Sequence, residues 1–144
     1  MPTKAKIQDT IPGTRNGAVP TASVAELLGK PRRKLTFQLT IEDEDGNPLS
    51  RTIIYKAISS IEYDALLEEH PPNAKQREDA AAFNIDTFAP ALISAVSFEP
   101  KLTYEEAEQL YKDPDWSGGE IGTLYFNAQR VCNAGLDVPF NVRG

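Results

Sequence analysis

The amino-acid sequence predicts an α+β fold, mainly α, in which an N-terminal β-hairpin is followed by a bundle of four to five short helices. Apolar and polar residues alternate strictly over residues 34–42, the pattern of a strand with one buried face. Residues 51–58 are rich in β-branched and aromatic side chains and follow Asp-Gly and Asn-Pro turn pairs, so they predict a return strand. Within residues 86–135, three segments of helical periodicity each begin at a capping residue and end at a breaker.

Length and composition indicate one globular domain. The chain has 144 residues, which is enough for one ordinary core. Its net charge of −6 argues against binding to nucleic acid, which needs a basic surface to displace counterions. The single cysteine, Cys132, is expected to be a small buried residue in a reducing compartment. No apolar run approaches the ~18 residues of a membrane span and no secretory signal is evident, so we expect a cytoplasmic protein with no membrane partner.

The domain is expected to span residues 22–135, between two tails. Residues 1–21 lack apolar periodicity and contain several prolines and glycines, so they predict a disordered or extended tail. Ordering of this tail upon assembly is the alternative. Residues 136–144 are predicted to be extended.

A short helix is predicted at residues 22–29, with Ser23 as N-cap, Glu26 completing a capping box and Gly29 as the stop. A basic run follows the helix, made of Lys30, Arg32, Arg33 and Lys34. This run is interpreted either as a contact for an acidic partner or as a solvated linker before the first strand.

The predicted hairpin, residues 34–58, directs one apolar face inward. That face consists of Leu35, Phe37, Leu39 and Ile41. We expect it to pack on the helices predicted at residues 59–70 and 86–97. The acidic residues 42–45 lie in the hairpin loop, which is expected to project, and their spacing does not match a calcium-binding EF-hand loop.

The helical part is predicted to span residues 59–135. Its first helix is capped by Ser59 or Ser60, with Glu62 completing a capping box with Ser59, and its apolar side consists of Ile61, Tyr63, Ala65, Leu66 and Leu67. His70, the only histidine, is expected at the surface near the end of this helix. A polar link that includes a short helical turn follows at residues 73–82.

Three further helices are expected beyond that link. The first is capped by Asn84 or Asp86 and tolerates Pro90 near its start, with a core face of Phe88, Leu92, Ala95 and Val96. The other two begin with capping boxes whose members are Thr103 with Glu106 and Ser117 with Glu120. The last helix is predicted to end at a Gly135 cap.

Trp116 is the most informative single residue. It directly precedes the Ser117 cap, where a hydrophobic-staple residue packs back onto the helix. Tryptophan is also enriched at binding hot spots, so an interface role is the second interpretation, but the structural role is favoured. No nucleophile–base pair or metal-ligand cluster has the spacing that catalysis requires, and we expect neither enzyme activity nor a cofactor.

The order of several motifs resembles the tail assembly chaperones of long, non-contractile-tailed bacteriophages (siphophages), of the type found in phages that infect actinobacteria. The resemblance covers about residues 34–133. The motifs that carry it are YDALLEEHPP at 63–72, FNIDTFAPALI at 83–93, PKLT at 100–103 and WSGGE at 116–120.

The resemblance implies a chaperone of the host cytoplasm that coats the tape measure protein and is absent from the finished virion. It further implies self-association, and contact with the tail tube protein through a longer frameshifted form. Candidate partner-binding residues are Trp116, Tyr104, Tyr111, Tyr125 and Phe126. The alternative is a structural tail component such as a tail terminator, a connector or a minor tail protein.

Overall fold

The computed structural model describes residues 18–134, which divide between Pro31 and Arg32 into two compact units. In the first unit, α1 (Val24–Leu28) begins with the predicted Ser23/Glu26 capping box. Its apolar residues Val24, Leu27 and Leu28 are all exposed. Residues 18–21 have no regular structure, and the rest of the predicted N-terminal tail lies outside the described residues.

The second unit begins with an antiparallel hairpin. β1 (Lys34–Glu42) has the predicted bounds, and its face of Leu35, Phe37, Leu39 and Ile41 is the inner one, with Leu39 buried and the other three half-buried. β2 (Pro48–Lys56) pairs with β1 in a register that runs from Lys34 opposite Lys56 to Glu42 opposite Pro48.

The prediction of a return strand over residues 51–58 is wrong in its bounds, because the loop is shorter than expected. Asp43 closes the turn, where its Oδ1 accepts 2.9 Å hydrogen bonds from the backbone N–H groups of Asp45 and Asn47. Gly46 supplies the positive φ of 81° that this turn requires. Pairing therefore resumes at Pro48, where a missing N–H is tolerated because it is the first residue of the strand.

A third strand, β3 (Ser97–Glu99), extends the sheet in the order β1-β2-β3. No strand was predicted here, since three residues are too few to show alternation. Buried Ser97 anchors this segment, because its Oγ donates to the Ser94 carbonyl (2.8 Å) and accepts from the Leu102 N–H (2.9 Å).

Within the described residues five helices follow the hairpin, where four to five were predicted. They are α2 (Ser60–Glu68), α3 (Ala74–Glu78), α4 (Ile85–Val96), α5 (Tyr104–Lys112) and α6 (Gly118–Asn133). Their N-caps are Ser59, Asn73, Asn84, Thr103 and Ser117, and all but Asn84 form complete capping boxes. The predicted Gly135 cap and the 136–144 tail lie outside the described residues.

α4 is the central helix of the fold. The sequence predicted one core face, but α2, α5 and α6 all pack against α4, so it is buried on nearly every side. Phe88, Leu92 and Val96 are fully buried as predicted, and Ala89, Pro90, Ala91 and Ile93 are buried as well. A helix that is apolar all round lies inside a domain. The periodicity of this segment predicted only one buried face.

The inner face of the hairpin packs chiefly against α6. The Tyr55 hydroxyl donates a 3.1 Å hydrogen bond to the Leu124 carbonyl, and Leu39, Tyr55, Leu124 and Ala128 share one core. The prediction that this face would pack on the helices at 59–70 and 86–97 missed α6 as the main partner, but Phe88, Leu92 and Val96 of the second of those helices do belong to the same core.

Two details of α2 also differ from expectation. Ile61 is 80% exposed and Ala65 is exposed, so the packed side of α2 is narrower than predicted and depends on Tyr63, Leu66 and Leu67. His70 is half-buried instead of lying free at the surface. Its Nδ1 is 2.8 Å from the Thr87 hydroxyl, and its ring meets Phe88 edge-on.

Candidate partner-binding surfaces

Trp116 lies half-buried at the joint between α5 and α6. Its backbone N–H donates to the Asp113 carbonyl (3.2 Å), which fixes the turn before the Ser117 cap. Together with Leu39 and Leu124, its indole lines a small apolar cavity of about 170 Å³ inside the domain. The structural role predicted for Trp116 is therefore confirmed.

The other side of Trp116 faces an open acidic cavity of about 710 Å³, which we call the acidic Trp116 cavity. Its lining residues are Thr40, Ile41, Glu42, Asp43, Pro48, Asp115, Trp116 and Glu120. Hydrogen bonds from the backbone, above all that of Asn47, hold the pKa of the Asp43 carboxyl below its usual range. The cavity combines an aromatic face with four carboxylates, and this combination suits a cation.

A cavity of opposite charge lies at the other end of the hairpin. This basic Phe98 cavity, about 340 Å³, is lined by Arg32, Lys56, Ala57, Ile58, Ala95, Val96, Ser97, Phe98 and Lys101. The Nζ atoms of Lys34 and Lys56 lie 4.3 and 5.5 Å from the centre of the exposed Phe98 ring. Phe98 was not among the predicted residues. The sequence held one indication of this cavity. Lys34 begins the first predicted strand and Lys56 lies near the end of the second, so an antiparallel hairpin brings the two lysines together.

The predicted basic run is more than a solvated linker. Arg32 forms a 3.0 Å ion pair with Glu62, and Arg33 donates to the carbonyl of Ala134 at the end of α6. Lys34 lies over Phe98, so three of the four basic residues contact the domain. The fourth, Lys30, belongs to the first unit and donates to the Pro31 carbonyl (2.7 Å).

The outer face of α6 carries the most exposed of the predicted site residues. Phe126 is 64% exposed and points away from the core face, where Leu124 and Ala128 are buried. It forms a shallow groove of about 380 Å³ with residues that lie three, four, seven and eight positions further along the chain. The remaining lining residues are Gln129, Arg130, Asn133 and Ala134.

Two of the predicted tyrosines lie next to this outer face. The Gln129 side chain links Tyr125 to α2, since it donates to the Tyr125 hydroxyl (2.6 Å) and accepts from the Tyr63 hydroxyl (3.0 Å). Burial raises the pKa of Tyr125. Burial, together with the Asp86 carboxylate, also raises the pKa of Tyr111, the neighbouring tyrosine on α5.

The five predicted partner-binding residues therefore do not form one patch. Tyr111, Tyr125 and Phe126 lie on or beside the outer face of α6, whereas Trp116 lines the acidic cavity. Tyr104 is half-buried on α5 and lines neither charged cavity.

Other kinds of site have less support. Within residues 18–134, no three histidine, cysteine or acidic side chains are grouped so that they could hold a metal ion. Cys132 is half-buried, and burial raises its thiol pKa, so the reactive thiolate is disfavoured. None of the described helices has the length and apolar character to cross a membrane. Comparisons with protein families, curated proteins and solved structures found no match.

Proposed function

We propose that this protein is a siphophage tail assembly chaperone that works in the host cytoplasm. It binds the tape measure protein, keeps that long chain soluble while the tail tube polymerises, and is absent from the mature virion. It associates with itself, and a longer frameshifted form brings in the tail tube protein. The ordered motifs between residues 63 and 120 support the assignment to this class.

The observation that carries the proposal is the exposure of Phe126 on a helix whose other face lines the core. α6 lines the core through Leu124, Ala128 and Val131, which holds its outer face rigid. An exposed aromatic residue on a rigid face is an efficient anchor, because little side-chain entropy is lost when a partner covers it.

The groove beside Phe126 has the chemistry to hold an amphipathic helix of a client. Phe126 meets the apolar stripe of such a helix, while the amides of Gln129 and Asn133 form a polar rim. Asn133 donates to Gln129 (2.9 Å), so these rim side chains are positioned before a client arrives. A helical tape measure protein offers many such stripes, and several chaperones can bind along its length.

Co-expression with the tape measure protein of the same phage tests the proposal. The wild-type chain is expected to move the tape measure protein into the soluble fraction. Phe126→Glu places a charge at the anchor and is expected to reduce that soluble fraction by about tenfold or more, as for loss of a binding hot spot.

Ile61→Glu is the matched control, because Ile61 is equally apolar and 80% exposed but lies on α2, away from the groove. Equal effects of the two substitutions, or no solubilisation by the wild-type chain, would contradict the proposal. Mass spectrometry of purified virions gives an independent test. Abundant peptides of this chain in finished particles would favour a structural tail component instead.

A further inference from the structure

The hairpin carries opposite charges at its two ends. Lys34 and Lys56 form the pair at the open end, and Glu42 pairs with Pro48 at the closed end. Eight residue steps of about 3.3 Å place these pairs roughly 27 Å apart. Because a continuous strand ladder separates them, one chain cannot bring its two ends together.

Each end also presents an aromatic side chain among charges of one sign. At the closed end, Trp116 shares its cavity with carboxylates that include Glu42 and Asp115, and no cation lines that cavity. At the open end, Phe98 shares its cavity with Lys56 and Lys101, and no carboxylate lines it. Arg32 is neutralised by Glu62, whereas neither lysine has an ion-pair partner among the described residues.

We propose that copies of this chain associate head to tail, with the basic Phe98 end of one copy inserted into the acidic Trp116 cavity of the next. Lys56 and Lys101 would meet the carboxylates of the neighbouring copy, and a lysine would lie against the Trp116 face, the aromatic ring that attracts cations best. Such a contact is heterologous, so it repeats from copy to copy and builds a ring or a filament.

A second copy is the occupant that the charges favour. Every chain carries both complementary ends, so each cavity finds its partner on an identical molecule. The overall charge of −6 opposes association only weakly at contact, because charges beyond about 8–10 Å are largely screened at physiological ionic strength. This inference rests on the self-association within the proposed function, but it uses neither Phe126 nor the outer face of α6.

Charge reversal at the two ends tests the contact on the purified full-length chain. Lys56→Glu with Lys101→Glu makes both ends acidic, whereas Glu42→Lys with Asp115→Lys cancels the negative charge of the Trp116 end, where Asp43 and Glu120 remain. In sedimentation equilibrium each double variant alone is expected to associate at least about tenfold more weakly than the wild-type chain. An equimolar mixture of the two is expected to form dimers, because the unaltered acidic end of the first variant meets the unaltered basic end of the second.

Arg51→Glu with Lys75→Glu is the control, since it reverses the same number of cations at residues that line neither cavity. Circular dichroism checks that every variant is folded. The inference is overturned if either end variant assembles like the wild-type chain, if the mixture stays monomeric, or if the wild-type chain is monomeric at millimolar concentration. If the Phe126→Glu variant still self-associates, client binding and self-association depend on different surfaces.

Discussion

Tyr55 joins the sheet to the last helix through a single buried hydroxyl. Its side chain is 1% exposed, and its hydroxyl donates to the Leu124 carbonyl of α6. Burial raises the pKa of this phenol, so it remains a hydrogen-bond donor well into the alkaline range. The ring also meets Phe37 edge-on at 4.9 Å, so the residue contributes packing as well as polarity.

Tyr55→Phe is expected to lower the free energy of unfolding by about 0.5–1.5 kcal/mol. The cost stays small because the Leu124 carbonyl keeps its helical partner and the ring is retained. Urea unfolding measures the change, with Tyr104→Phe as the control at a half-buried hydroxyl. Equal stability of Tyr55→Phe and the wild type would mean that the bond contributes nothing net.

At the scale of elements, capping boxes define where most of the helices begin. In α2 the Ser59 hydroxyl accepts from the Glu62 N–H (3.1 Å), and the Glu62 carboxylate accepts from the Ser59 N–H (2.8 Å). The same carboxylate pairs with Arg32, so one side chain both starts α2 and ties it to the start of the hairpin. These hydrogen bonds, above all those with Ser59, lower the pKa of Glu62.

Glu62→Gln is therefore expected to have a pH-dependent effect. A lowered folded-state pKa gives stability that is present above the ordinary value of 4.5 and is lost as the pH falls through the folded-state value. Glutamine can still cap, so the substitution removes only the charge. The Tm of the variant should lie below that of the wild type at neutral pH and converge with it in acid. A gap that persists well below pH 4.5, or a similar profile for Glu69→Gln, would contradict this account.

At the scale of the whole molecule, α4 is the element that the rest of the second unit encloses. Phe88 alone meets Tyr63, His70 and Phe83 edge-on, at centroid distances of 5.6, 6.1 and 5.1 Å. Three separate segments of the chain thus converge on one ring. Loss of the packing around α4 would separate α2, α5 and α6 at once.

Leu92→Asp is expected to unfold the domain. Leu92 has no exposed surface, so the substitution buries an unpaired charge at a cost of more than about 4 kcal/mol, a large part of the stability of a small domain. Thermal unfolding followed by circular dichroism measures the loss. Ile61→Asp, at an exposed position, should change stability by about 0.5 kcal/mol or less. A folded Leu92→Asp variant with an unchanged Tm would show that this helix is not the core.

The candidate surfaces were predictable only in part. Trp116 and Phe126 stand out as aromatic residues beside or within a helical pattern, and both line cavities. Of the basic Phe98 cavity only the Lys34–Lys56 pair was predictable, because Phe98 and Lys101 come from β3 and the segment after it, far from β2 in the chain. Phe98 and Lys101 lie near Lys56 only because β3 pairs with β2, and the three residues of β3 are too few to predict that pairing.

The sequence by itself determined the α+β class, the bounds of β1 and the helix starts. Those features depend on contacts within three or four residues, such as the Ser117/Glu120 capping box, or on a period that each segment shows alone. Only the tertiary structure decided that α4 is central, that β3 joins the sheet, and that opposite charges occupy the two ends of the hairpin. Each of these features requires surfaces from distant parts of the chain to meet, and that choice is made by the packing of the whole domain.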